Sequence, residues 1–420
     1  MCLSVKRALS IGLVVLAAVT LVAIDGEIPR AHAADSQFDL ELFRRSGDLQ
    51  SQRRHVWNVL AQLARRQTGQ TEPGFESWYG EENVFAEPAV EQVPRGIRGF
   101  SRVSSTGMAL HSADAPILTY TLYNDAAYEH IRRHRLYSRA VLESLRSAGP
   151  ADHAIVDNHS VPPFPRQAIV LKTGWWPVAG GSALTALPVW DPDRNAPLRG
   201  GNGYLTWPRV VVVDPTNSSP RDSTVDMDFS GRSFPAAHRV NLQDFYHVAV
   251  DAGLAARAMR DPDTQKAVSI ALGRALQAGD YLILIAGNLA TREIEDWVWG
   301  AFWWHDRPDQ GAFAANRPDE LRGEWRNYLM QAAFDDQKPR ADDGQPHICF
   351  NPWLEARFPD GGQGGGTASN CLSCHRRASY PLVSFLPVTR GDPDLKNDPA
   401  YAAGRLRTSF LWSLVLHAKP

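Results

Sequence analysis

Cys371-Leu372-Ser373-Cys374-His375 places two thiols three positions apart and an imidazole directly after the second. The pentapeptide thus offers two soft nucleophiles and a nitrogen ligand on one short segment. Thiols at this spacing can each add to one vinyl group of a porphyrin, and the following imidazole can take an axial site on its iron, the pattern of c-type haem attachment. Three other chemistries use part of the same pattern. A thiol–disulfide pair is also C-x-x-C, but it belongs at a strand-to-helix step of a small α/β domain, and here a glycine-rich stretch, 361–366 (GGQGGG), and Ser369-Asn370 come before it. A zinc site would need four ligands, and His347 and Cys349 upstream complete such a set with Cys371 and Cys374. The fourth reading is a chance pair of thiols. The glycine stretch lacks the Lys-Ser/Thr and the preceding strand of a phosphate-binding loop, and reads as a flexible connection.

If haem is held, His375 is the proximal ligand and the opposite axial position decides the chemistry. A Met there favours electron transfer at high potential, and an open position permits binding or catalysis. Only 45 residues follow His375 and none is Met; the last Met is Met330. That departs from the small cytochromes c, whose axial Met follows the motif. The candidates for a distal ligand are His305, in Phe-Trp-Trp-His-Asp, together with His347 and His417. An open sixth site stands beside them. His130-Ile-Arg-Arg-His134 has i, i+4 metal-ligand spacing, but Arg132 and Arg133 oppose a cation, so it reads as an exposed basic helix. Cys349 is expected as a buried thiol or a wall of the haem pocket.

Covalent haem attachment requires an exported chain, and the N-terminus fits one. Lys6 and Arg7 precede an apolar stretch, 8–24, and Ala31-His32-Ala33 offers a cleavage pattern. The expectation is a signal peptide over 1–33 and a periplasmic mature chain. A retained N-terminal anchor is the competing reading, since ~17–25 apolar residues can span a bilayer. Without Cys2 the chain keeps three cysteines, too few for a disulfide scaffold. A formal net charge of −2 gives no reason to expect a nucleic-acid partner. No stable membrane insertion is expected after cleavage, and a redox partner protein is implied without being identified. Thirteen Trp, several in clusters (175–176, 297–299, 303–304), read as core.

The elements that must position the motif follow from hydrophobic spacing. Helix is predicted over 36–67 and over 124–146, the second capped by Asn124. Strands are predicted over 168–175 and 209–214, helices over 241–260 and 264–278, and an aromatic hairpin from 280–289 and 294–304. Residues 305–352 read as polar with some helix, and 402–417 as an amphipathic closing helix. The fold class is therefore α+β, with N-terminal helices, a β-rich middle and a haem-bearing C-terminal segment. The regions are 34–165 (mainly helical), 166–304 (β-rich) and 305–420 (haem-bearing), with 166–420 forming one body.

Four stretches carry a resemblance. They are Asp296–Asp306 (DWVWGAFWWHD), Cys349–Glu355 (CFNPWLE), Asn370–Ala378 (NCLSCHRRA) and the region of Trp57 and Phe75–Trp78. Together they resemble a group of bacterial periplasmic proteins of the cytochrome c family, over most of the mature chain. The resemblance implies one covalent haem c on Cys371 and Cys374 with His375 axial, and draws attention to His305. It supplies no reaction. The leading function is one-electron transfer by a periplasmic monohaem c-type cytochrome. The alternatives are a haem oxidoreductase acting on a small substrate at an open sixth position, and a haem-free zinc- or thiol-bearing structural protein.

Overall fold

The computed structural model describes residues 49–66, 72–89, 98–99, 115–149, 159–191, 203–220, 222–334, 348–355, 370–382 and 404–420. The predicted signal segment, the start of the first predicted helix, the glycine stretch and His347 lie outside these residues. No helix among the described residues is long and apolar enough to cross a membrane.

In chain order, helix α1 (Leu49–Ala64) buries Val56, Leu60 and Leu63, an i, i+4, i+7 stripe. Strand β1 (Tyr79–Gly80), the single turn α2 (Glu81–Val84), β2 (Arg98–Gly99) and β3 (Leu118–Tyr123) follow. Helices α3 (Asp125–Arg133) and α4 (Arg139–Ser147) lead to the long β4 (Ile169–Val178), then β5 (Thr185–Pro188), β6 (Val210–Asp214), β7 (Thr224–Phe229), β8 (Arg232–Asn241) and β9 (His247–Ala249). Helices α5 (Ala252–Ala258) and α6 (Pro262–Leu272) precede β10 (Tyr281–Thr291), β11 (Val298–Trp304) and β12 (Tyr328–Ala333). The C-terminal part adds α7 (Pro352–Glu355), α8 (Cys371–His375), β13 (Ser379–Tyr380), β14 (Leu406–Arg407) and α9 (Trp412–His417). The α+β class holds.

One antiparallel sheet organises the chain, in the order β1-β3-β4-β10-β11-β12, with β2 also on β3 and β9 also on β10. A second sheet runs β5-β6-β8-β7, with β6 and β8 parallel. Side chains alternate between the faces of a strand, and the large sheet buries both. Leu171, Leu289, Val298 and Phe302 belong to the larger core, which α1 meets at Gly300, while Trp176 and Trp303, on the opposite face by alternation, reach the second sheet and its flank. Val170, Ala290, Trp299, Ala301 and Ala333 face a smaller core built from α3, α4 and the C-terminal segment. The Trp clusters are buried, as predicted.

Several boundaries differ from the sequence reading. The helix predicted over 124–146 is two helices. Asn124 does cap the first, accepting the Ala127 N–H at 3.1 Å. The helix then stops in a Schellman turn, with Arg135 left-handed (φ 53°) and Leu136 N–H bonded to Ile131 O. The helix predicted over 241–260 is a short turn, β9 and α5; the chain pairs with β10 there instead. Asp261 caps α6, with Pro262 at its first position. The closing helix covers 412–417, and β14 occupies residues predicted as helix. Strands β3 and β12 were not expected. Both are buried almost throughout, so neither shows the alternation that marks a half-exposed strand. The hairpin β7–β8, also unexpected, turns on Ser230 and Gly231, both at positive φ. Because β3 pairs with β4, the region predicted as mainly helical supplies part of the central sheet.

Helix α1 lies on β11 where Gly300 leaves room: a Cβ there would stand 2.4 Å from Val56 Cγ1. Gly300→Val is expected to destabilise the fold by ~1–3 kcal/mol through overpacking, with part of the loss recovered when Val56→Ala is added. Urea unfolding of the two variants measures both effects, and an unchanged midpoint for Gly300→Val would contradict this packing.

Candidate functional site

The motif residues form α8, a single turn held at both ends. Asn370, at its N-cap, accepts the Leu372 N–H on its side chain at 2.9 Å. The chain entering α8 pairs with Cys349: Cys371 N–H donates to the Cys349 carbonyl at 3.0 Å. At the other end Arg376 reaches Asp296 in the β10–β11 connection at 2.8 Å. Cys371, Cys374 and His375 stand at i, i+3 and i+4, which places them on one helical face. Cys371 and Leu372 share the smaller core with Trp299 and with Ala290, Ala301 and Ala333. Those alanines are small, and they let α8 lie close to the sheet.

The decisive contact is made by His375. Its Nδ1 lies 2.7 Å from the Phe410 carbonyl. A carbonyl oxygen only accepts, so Nδ1 carries the proton and the neutral ring keeps its lone pair on Nε2. Burial holds the imidazole down to about 4, with Lys172 acting in the same sense and the Phe410 bond opposing, so it is neutral near pH 7. The Trp299 ring lies 4.2 Å from the imidazole, centroid to centroid.

The backbone that presents this carbonyl is strained. Ser409 (φ 49°) and Phe410 (φ 66°) are both left-handed, and Leu411 N–H closes the turn on Thr408 O. Trp297 (φ 61°), whose indole N–H donates to Ser409 Oγ at 3.4 Å, is left-handed as well. Each such residue costs on the order of 1–3 kcal/mol, and such strain gathers at functional sites. Here two of them form the turn whose carbonyl meets His375, and the third bonds to that turn.

Ionisable groups reach the same sheet face. Lys172 on β4 pairs in register with Asn288 on β10, and Asn288 with Ala301 on β11. Asn288 Nδ2 donates to Glu355 Oε1 at 2.7 Å, and Asn351 N–H donates to Glu355 Oε2 at 2.8 Å. Asn351, itself buried, also spans the sheet, donating to the carbonyls of Gly287 and Phe302. Burial pushes the Glu355 carboxyl up to about 7 against the pull of these bonds and of Lys172. Burial pulls the Lys172 ammonium down, opposed by Glu81 and Glu355. Burial pushes the Cys374 thiol up to about 11.

The other predicted ligands are placed as follows. His305 is six residues beyond Trp299 on the line of β11, about 20 Å at a strand rise of ~3.3 Å per residue. The structure therefore does not bring it opposite His375, and this corrects the expected distal position. Its Nδ1 accepts the Arg307 N–H at 2.9 Å, and it belongs instead to a buried charge cluster. In that cluster Arg209 reaches Asp306 at 2.7 Å and Asp191 at 3.5 Å, and His238 lies 3.4 Å from Asp306. His417 lies on the smaller-core side, 3.5 Å from Glu81 and against the Phe85 ring. His347 lies outside the described residues. Met227, Met259 and Met330 all pack into the larger core, away from the motif. His130 is buried and bonded to Pro162 O, not exposed as predicted. Among the described residues no three His, Cys, Asp or Glu side chains are grouped to hold a metal ion. Cys349 is a buried thiol, as expected.

Lys172, Glu355 and Phe410 were not singled out from the sequence. A lysine inside the apolar run AIVLKTGWW is the one local signal that could have marked the face.

Glu355 makes stability depend on pH in a defined sense. Its folded pKa lies above the ordinary carboxylate value, so between about pH 4.5 and 7 the folded state holds a proton that the unfolded state has lost. Stability from this group is therefore present below pH 4.5 and falls as pH rises to 7. Relative to wild type, Glu355→Gln should gain up to ~3 kcal/mol between pH 4.5 and 8. The buried imidazoles titrate in both proteins and cancel in the difference. Urea unfolding at several pH values measures it, and a difference independent of pH would contradict the buried carboxyl. No protein-family model, curated protein or solved structure matches this chain, so the site rests on its own geometry.

Proposed function

We propose that the chain is an exported monohaem c-type cytochrome whose haem is held by thioethers from Cys371 and Cys374 and by His375 Nε2 as axial ligand. The observation that carries this reading is the hydrogen bond from His375 Nδ1 to the Phe410 carbonyl. A histidine that ligates a metal through one nitrogen is usually fixed by a hydrogen bond from the other, which sets tautomer and orientation and raises basicity. Here that bond is in place, and both thiols leave the same helical face as the imidazole.

The residues fit the group in three further respects. Trp299 provides a flat aromatic surface beside His375, and the Phe410 ring lies near Trp299 in turn. The alanines on the sheet keep this face low. The thiols attach without net oxidation, each S–H adding across one vinyl double bond, sulfur to one carbon and hydrogen to the other. When bound, such a group supplies a reversible one-electron change at iron, with a potential set by ligand, burial and charge. Lys172 and Glu355, with Arg377 just after the motif, would then be ionisable groups that set the local field.

A second reading, a haem oxidoreductase with an open sixth position, is favoured by one observation. Glu355, held near neutrality, could exchange protons with a substrate on this face, as a general acid–base group must. No described Met belongs to the smaller core that holds Cys371, and His305 is remote, which leaves His417, of the three predicted ligands, as the described candidate for a closed sixth site.

Two measurements test these readings. Protein from the periplasm of cells with haem-attachment machinery should give the pyridine haemochrome of a doubly thioether-linked haem. Cys371→Ser and Cys374→Ser should each shift its α band or abolish it; wild-type protein without covalent haem would contradict the proposal. Carbon monoxide should shift the Soret band of the reduced protein if the sixth site is open. An unchanged spectrum would favour a carrier with two strong ligands.

A further inference from the structure

Cys349 was expected as a buried thiol or a wall of the haem pocket, and the zinc reading grouped it with Cys371 and Cys374. The Cys349 sulfur lies 3.7 Å from that of Cys371. The two residues are also tied through the backbone: Cys371 N–H donates to Cys349 O at 3.0 Å, and Cys371 Sγ leans on the same carbonyl at 3.3 Å. Both side chains are buried, Cys349 at 0% and Cys371 at 5% exposure. The sulfurs are in van der Waals contact, and a disulfide holds them at ~2.04 Å, a gap that rotation about the two side chains can close. Cys374, one turn along α8, neighbours Trp412 and Arg377 instead.

We propose that Cys349 and Cys371 form a disulfide in the haem-free chain, a covalent state that excludes a thioether at the same sulfur. The disulfide stands on the geometry alone; its consequence for haem rests on the function proposed above. In forming, the two thiols lose two electrons and two protons, and an oxidant of the disulfide class takes them up and leaves as two thiols. Haem attachment at Cys371 then requires a dithiol reductant to return the pair to thiols first. Because Cys371 sulfur can make only one of the two bonds, Cys349 decides when the motif is open to haem. Burial, and the contact with Cys349 before it, push the Cys371 thiol above its ordinary range, so exchange with external thiols is slow once the chain has folded.

Haem-free full-length protein, reduced in denaturant and refolded in a buffer of oxidised and reduced glutathione, provides the test. Free thiols are blocked with iodoacetamide in denaturant, the chain is cut with trypsin, and the peptides are sequenced by mass spectrometry. Peptide 341–357, which carries Cys349, should be joined to peptide 358–376, with fragment ions placing the bond on Cys371. The link should persist in Cys374→Ser and vanish in Cys371→Ser. Cys349 alkylated without reduction after refolding, or a bond to Cys374, would overturn the proposal. The haem consequence is read separately: Cys349→Ser should raise the fraction of haem-loaded protein by several-fold in an oxidising compartment lacking reductant. If no variant ever shows a haemochrome while the peptide link is present, the functional reading fails and the disulfide stands; haem loading unchanged by Cys349→Ser would overturn the gating role.

Discussion

A carbonyl oxygen cannot donate a hydrogen bond, and the arrangement around α8 turns on that fact. Facing the Phe410 carbonyl, His375 Nδ1 must hold the proton, so Nε2 presents a lone pair. The half-buried imidazole is neutral near pH 7, its plane set by one hydrogen bond and one aromatic wall. The left-handed residues at 409 and 410 are what aim the carbonyl, and the surrounding fold keeps them there.

The large antiparallel sheet makes this strain tolerable. Its two faces carry different side chains because strand residues alternate. One face carries Leu171, Leu289 and Phe302 into the main core, and the other carries Ala290, Ala301, Trp299, Lys172 and Asn288 beside the motif, with Trp176 and Trp303 joining the main core farther along the same face. Asn351 fixes the segment bearing Cys349 and Glu355 onto that second face, and the chain pairing at Cys349 in turn carries α8. A short motif helix with little packing of its own is thereby located by a rigid platform, which is what a preorganised ligand requires.

Much of this was legible in the sequence, for reasons specific to each element. The motif itself is local, five residues whose chemistry depends on spacing alone. The strands at 169–178, 210–214 and 281–291 show as dense β-branched runs, and the aromatic hairpin as a Trp-rich neighbour. Asn124 was readable as a cap because its role is settled within three residues. What could not be read depends on contacts distant in sequence. Strand β3 is strand because β4 pairs with it, and β9 because β10 does, overriding a helix-like pattern. Phe410 serves His375 through its backbone, which leaves no mark on residue type. His305 looked suitable because its type and aromatic setting suit iron, yet its place at the far end of β11 is fixed by strand length. Cys349 and Cys371 are 22 residues apart across the glycine stretch; the zinc reading grouped them by type, and the fold shows the two sulfurs in contact.

The tautomer of His375 is the most direct measurement of the central claim. Nitrogen-15 NMR of the haem-free protein, with the signal assigned through His375→Gln, distinguishes a protonated from an unprotonated ring nitrogen. The geometry predicts a neutral ring near pH 7 with the proton on Nδ1 and Nε2 unprotonated. A proton on Nε2, or a ring exchanging freely between the two forms, would contradict it.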